Sequence, residues 1–179
     1  MTTSRLARTI GRTAATTTAA LAVAAAAVLV PAGVASAAPA TPAGDPAPGA
    51  CRPANQQATI HPAPGSAGHR HYTVVLSAAP GTSPCLLSGS PSDLVFSLNG
   101  SPRASEVAVP YGDQTRAVEF GPGEPVQFDV QVRDSAGPAR ANEVQFSLHG
   151  PGGDVPGGFL ARGPIGVDAG IQVGPVTER

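Results

Sequence analysis

Two stretches of the chain alternate strictly between apolar and polar residues. Val126, Phe128, Val130 and Val132 are separated by Gln127, Asp129 and Gln131 and followed by Arg133. Val144, Phe146 and Leu148 alternate with Glu143, Gln145 and Ser147. Successive side chains of an extended chain point to opposite faces, so each stretch predicts a strand with one buried and one wet face. Residues 72–76 (Tyr-Thr-Val-Val-Leu) are β-branched and apolar and predict another strand. Leu94, Phe96 and Leu98 alternate with Val95 and Ser97, and Asn99-Gly100 follows. That pair tolerates φ > 0 at both positions and signals a two-residue hairpin. Val107 and Val109 suit its returning strand.

The weaker patterns fill in the rest. Residues 56–61 predict a short first strand with Ala58 and Ile60 inward, and 62–68 a loop. Pro80-Gly81 and Gly121-Pro122-Gly123 read as turns. Residues 85–87 and 117–120 read as extended, and Gly89-Ser90-Pro91 as a sharp corner. Seven glycines and three prolines between Gly150 and Gly166 predict a long loop, with 171–173 as a short closing strand. No helical periodicity runs over three turns outside the N-terminal segment. Short strands at this spacing with turns between them predict an all-β sandwich, with a barrel as the alternative.

The N-terminal segment has a different logic. Arg5, Arg8 and Arg12 precede an apolar run from Ala19 to Val30, which Pro31 breaks. Ala35-Ser36-Ala37 then puts small residues at the −3 and −1 positions before Ala38, the order of a secretory signal peptide over residues 1–37. The run is shorter than the roughly 20 residues that span a bilayer; an uncleaved anchor is the alternative. There is no twin arginine and no Leu-x-x-Cys lipobox. Residues 38–50 alternate Pro and Ala and predict a disordered spacer ahead of a domain over 51–177. The expected location is outside the cell, in solution or on the wall, with no membrane contact after cleavage.

Beyond Ala37 the chain keeps eight arginines against twelve carboxylates, a formal charge of −4. That argues against a nucleic-acid partner, which would need a basic face. Absence of lysine with abundant Ala, Gly, Pro and Arg suggests a GC-rich, actinobacterial genome. Two cysteines in an exported chain read as one disulfide, Cys51–Cys85. Redox-active thiols would call for a Cys-x-x-Cys motif or a helix N-terminus, and neither is present.

These residues together resemble a known family. The pattern is Cys51, then Ala67-Gly68 through Leu76, then Cys85-x-Leu87-x-Gly89-x-Pro91. Pro122-Gly123, Pro151-Gly152-Gly153 and Val173-Gly174-Pro175-Val176 follow. This is similar to the exported actinobacterial proteins of domain-of-unknown-function family 4232, over almost all of 51–176. The resemblance implies an immunoglobulin-like antiparallel sandwich at the cell envelope and no assigned activity. Ala78-Ala79-Pro80-Gly81 departs from the Asn-Thr-Ser turn of many members, and a further cysteine pair of some members is absent.

Candidate chemistry is sparse. His69 and His71 would share one side of a strand, with His61 and His149 near the ends of other segments, so zinc or copper ligation is conceivable for this set. Exposed histidines at a strand entrance are the plainer reading. Hydrolase chemistry needs a serine, a histidine and an acid in fixed geometry, and no Gly-x-Ser-x-Gly elbow occurs. Residues 150–154 lack the Gly-Lys-Ser/Thr ending of a phosphate loop. Asp129, Glu143 and Asp168 read as a solvated face, and Asn99-Gly100-Ser101 as a hairpin turn. The expectation is a secreted, non-catalytic module without cofactor, binding a cell-wall component or another secreted protein. Envelope metal binding and a purely structural domain are the alternatives, and the 150–166 loop and the 61–71 edge are the expected contact surfaces.

Overall fold

In a computed structural model of the chain, the structure describes residues 48–104 and 107–179. The expected signal segment (1–37) and most of the spacer lie outside the described residues. Among the described residues, fourteen strands follow one 3-10 turn, Pro53–Asn55. They are β1 Gln56–Ser66, β2 His69–Ala78, β3 Cys85–Ser88, β4 Ser92–Leu98, β5 Ser101–Ala104, β6 Val109–Pro110 and β7 Ala117–Phe120. Then come β8 Val126–Arg133, β9 Ala139–Ser147, β10 His149–Gly150, β11 Gly153–Asp154, β12 Phe159–Val167, β13 Gln172–Val173 and β14 Thr177–Glu178.

One sheet carries most of them, in the order β5-β4-β9-β12-β1-β2-β8-β13-β6, with β14 also on β8. Two short pairs, β3–β7 and β10–β11, stand apart. The large sheet curls. Three strands separate β8, which carries Phe128, from β9, which carries Phe146, yet the two rings meet at 5.1 Å. Phe146 also stacks on Phe159 at 5.8 Å. The inward residues of β8 (Val126, Phe128, Val130, Val132) and of β9 (Val144, Phe146) are buried in this interior, as their alternation predicts. Each large apolar side chain removed from water contributes about 1.5–3 kcal/mol.

The β4–β5 turn has Asn99 at φ 51° and Gly100 at φ 79°, the two left-handed positions a type I′ hairpin needs. The returning strand is Ser101–Ala104, immediately after the turn. Val107 lies outside it, and Val109 pairs in parallel with Gln172 instead.

Three expectations fail for physical reasons. The stretch 150–166 is not one long loop: from Phe159 it is β12, between β9 and β1 in the middle of the sheet. Phe159, Ala161, Ile165 and Val167 are buried, a period-2 pattern interrupted at Gly163-Pro164. There the register shifts, and Gly163 has φ +150° with a Cβ position only 2.3 Å from the Ile60 carbonyl oxygen. Glycine at that point marks close strand approach, not a loop.

The predicted 62–68 loop is likewise strand as far as Ser66. β1 pairs with β12 at Ala58 and Thr59, so Pro62 and Pro64 lie beyond that contact, on a stretch of β1 that pairs with β2 alone. The sheet is also not wholly antiparallel, since β1–β12 and β13–β6 are parallel.

The fold includes residues ahead of Cys51. Ala50 is fully buried, its N–H donates to the Ser83 carbonyl, and the Ser83 N–H donates to the Pro48 carbonyl. Residues 48–50 therefore belong to the fold, beside the Cys51–Cys85 disulfide that ties them to β3. At the other end β14 pairs with β8.

Candidate functional site

The corner at Gly89-Ser90-Pro91 fixes where β4 begins. The Ser90 hydroxyl donates to the Val173 carbonyl at 3.0 Å, and its N–H donates to Gln114 Oε1 at 2.7 Å. The 107–111 segment is held against β13 by Val109 N–H to the Ile171 carbonyl and Tyr111 N–H to the Val173 carbonyl. Between β4, the hairpin strand β5 and this segment lies a cleft of about 650 Å³. Leu94, Val95, Pro102, Val107 and Pro110 supply its apolar wall, and Ser92, Asp93 and His149 its polar one.

Val95 is 43% exposed, Val107 86% and Val109 56%. They are three of the five large exposed hydrophobic residues among the described ones. A groove of about 920 Å³ on the other flank, over Pro62, Tyr72, Arg140 and Ile165, is larger. Its apolar floor, however, consists of core side chains such as Tyr72, Ala141 and Ile165, which are already buried. The smaller cleft is the one walled by large apolar side chains that stand exposed, Val95 and Val107.

His149 stands on the cleft's polar wall. It pairs across β10–β11 with Asp154, whose Oδ1 lies 2.8 Å from its Nδ1, while its Nε2 lies 3.1 Å from Ser92 Oγ. This is a serine–histidine–acid chain, the arrangement that general-base activation uses. Its electrostatics oppose that use. The Ser92 hydroxyl donates to Asp93 Oδ2 at 3.0 Å, so a second acceptor competes for its one proton. Two carboxylates line the chain, whereas an oxyanion requires donors.

A second chain of the same kind runs across the outer face. Ser66 Oγ is 2.8 Å from His71 Nε2, and His71 Nδ1 is 2.8 Å from Asp129 Oδ2. The Tyr111 hydroxyl donates to the same Asp129 oxygen at 2.8 Å. Burial first, and then the bond and charge of Asp129, push the Tyr111 hydroxyl up to about 12 from its ordinary value. Ser66 is exposed. Asp113 is held below the usual carboxylate range by the hydroxyl and N–H of Thr115.

The four histidines are engaged separately. His61 meets Thr59, His69 meets the Ala67 carbonyl, His71 meets Ser66 and Asp129, and His149 meets Ser92 and Asp154. The β1–β2 register puts His61 diagonal to His71 on one face. Among the described residues no group of three or more His, Cys, Asp or Glu is placed to hold a metal ion. Asp129 is a partner of His71 and Tyr111, and Glu143 accepts from Arg162 and the Gly100 N–H. Asp168 accepts from Ser135.

Sequence reasoning missed Ser92 and Asp93, because one polar pair at the start of a strand carries no pattern. The signal that existed was Val107 and Val109, apolar residues in a segment that pairs too briefly to bury them. No protein-family model matches this chain, and no curated protein or solved structure matches it.

Proposed function

We propose that this chain is an exported, non-catalytic binding module that takes a small, largely apolar ligand in the cleft between β4 and residues 107–110. The reading includes a cleaved signal segment over 1–37, an immunoglobulin-like sandwich of the family-4232 type, and a place at the actinobacterial envelope or outside it. The Cys51–Cys85 disulfide supports an oxidising compartment. No helix among the described residues is long and apolar enough to cross a membrane.

The observation that carries the proposal is that Val95 and Val107, two large apolar side chains left in solvent, stand around one cavity. Covering such a side chain contributes about 1.5–3 kcal/mol, a gain the fold itself leaves unrealised there. The cavity volume falls in the range of small-molecule sites, roughly 300–1,000 Å³. A small component of the envelope therefore suits the cleft better than a protein surface. The zinc or copper alternative has no such observation behind it, since each histidine has its own protein partners.

The test is titration of the oxidised protein with a neutral apolar dye such as Nile red. Saturable one-to-one fluorescence enhancement that Val95→Arg abolishes is the expected result. Non-saturable enhancement, or enhancement indifferent to Val95→Arg, would overturn the reading.

A further inference from the structure

The polar wall of the cleft narrows the class of ligand. Gln114 is fully engaged, donating from Nε2 to the carbonyls of Tyr111 (2.7 Å) and Gly112 (3.2 Å) and accepting the Ser90 N–H at Oε1. Ser90 gives its hydroxyl to Val173. Ser92 gives its proton to Asp93 Oδ2 and faces His149 Nε2. What remains is Asp93 Oδ1, to which no described residue donates. An ionised carboxylate only accepts hydrogen bonds. A second carboxylate, Asp154, lies behind His149. No arginine is among the described lining residues, and the chain contains no lysine.

The backbone turns this carboxylate out. Asp93 has φ +54° and sits where the β4–β9 register shifts between Ser92 and Val95. Its neighbour Leu94 is buried, while Asp93 stays exposed at the cleft. The left-handed conformation tolerates Asp and Asn but few other side chains. Backbone geometry alone would be satisfied equally by Asn, so the charge is a separable property.

We infer that the cleft binds amphiphiles whose head is a protonated amine, the ammonium meeting Asp93 and the apolar body lying along Leu94, Val95 and Val107. This rests on the cleft being a binding site, as proposed above. Charge complementarity selects the head, because an ammonium offers three donors to the Asp93 carboxylate, which only accepts. A carboxylate or phosphate head would meet like charge there.

The experiment compares octylamine, octanol and octanoate by calorimetry at neutral pH and low salt, with the oxidised protein and its Asp93→Asn variant. Octylamine is expected to bind at least ~10-fold tighter than octanol, with octanoate weakest, since charge-assisted bonds are about twice as strong as neutral ones. Asp93→Asn is expected to bring octylamine down to the level of octanol and leave octanol unchanged. Equal binding of amine and alcohol, or an amine preference that survives Asp93→Asn, would overturn the inference while leaving the cleft intact. Failure of all three ligands to bind would instead remove the cleft reading, and the inference with it.

Discussion

Phe128 and Phe146 meet edge to face at 5.1 Å with an interplanar angle of 71°, although β12, β1 and β2 lie between their strands in the sheet. The contact exists because the sheet curls until its inner face meets itself. It makes these two rings reporters of closure, not of local strand pairing. Phe146→Ala and Phe128→Ala should each cost ~3–5 kcal/mol in chemical denaturation. The pair should be coupled by about 0.5–1.5 kcal/mol in a double-mutant cycle. Additive effects would mean that the rings do not meet.

Much of that interior was legible from alternation. Val126 to Val132 and Val144 to Phe146 are buried as their period requires, and Asn99-Gly100 forms the hairpin it signals. β12 was not legible, because Gly163-Pro164 breaks its alternation and the surrounding glycines carry a loop composition. Its identity depends on tertiary partners: β9 on one side, and Ile60 pressing on Gly163 on the other. The cleft was illegible for a related reason. Its wall comes from β4, β5 and the 107–110 segment, which only the folded chain brings together.

Gly163 supplies a sharp test of β12. A Cβ there would lie 2.3 Å from the Ile60 carbonyl oxygen, on a backbone at φ +150°. Gly163→Ala should destabilise the protein by at least ~1–3 kcal/mol, the usual cost of such backbone strain. Gly152→Ala, with open space around it, should change stability little. Equal midpoints for the two variants in thermal melts would contradict the central position of β12.

Tyr111 links the 107–111 segment to β8 through Asp129. Its folded hydroxyl is pushed up to about 12, mainly by burial and next by Asp129. The neutral phenol is therefore the form the fold favours. The stability this contributes is complete below the ordinary value near 10 and is lost as pH rises through about 12. Alkaline titration of the phenolate absorbance should show a step near 12 that Tyr111→Phe removes. Asp129→Asn should move it toward 10 without reaching it, because burial remains. A Tyr111 step at its ordinary value in the native protein would contradict the Tyr111–Asp129 contact.

The measurement that most directly tests the central claim is amide chemical-shift mapping of the oxidised protein during titration with octylamine. Saturable shifts confined to Ser92–Val95, Val107–Tyr111 and His149 are expected, with the Asp93 amide moving most. Saturable shifts over Pro62, Arg140 and Gly163 would place the ligand in the opposite groove. No saturable shifts anywhere would show that the exposed valines mark no binding site.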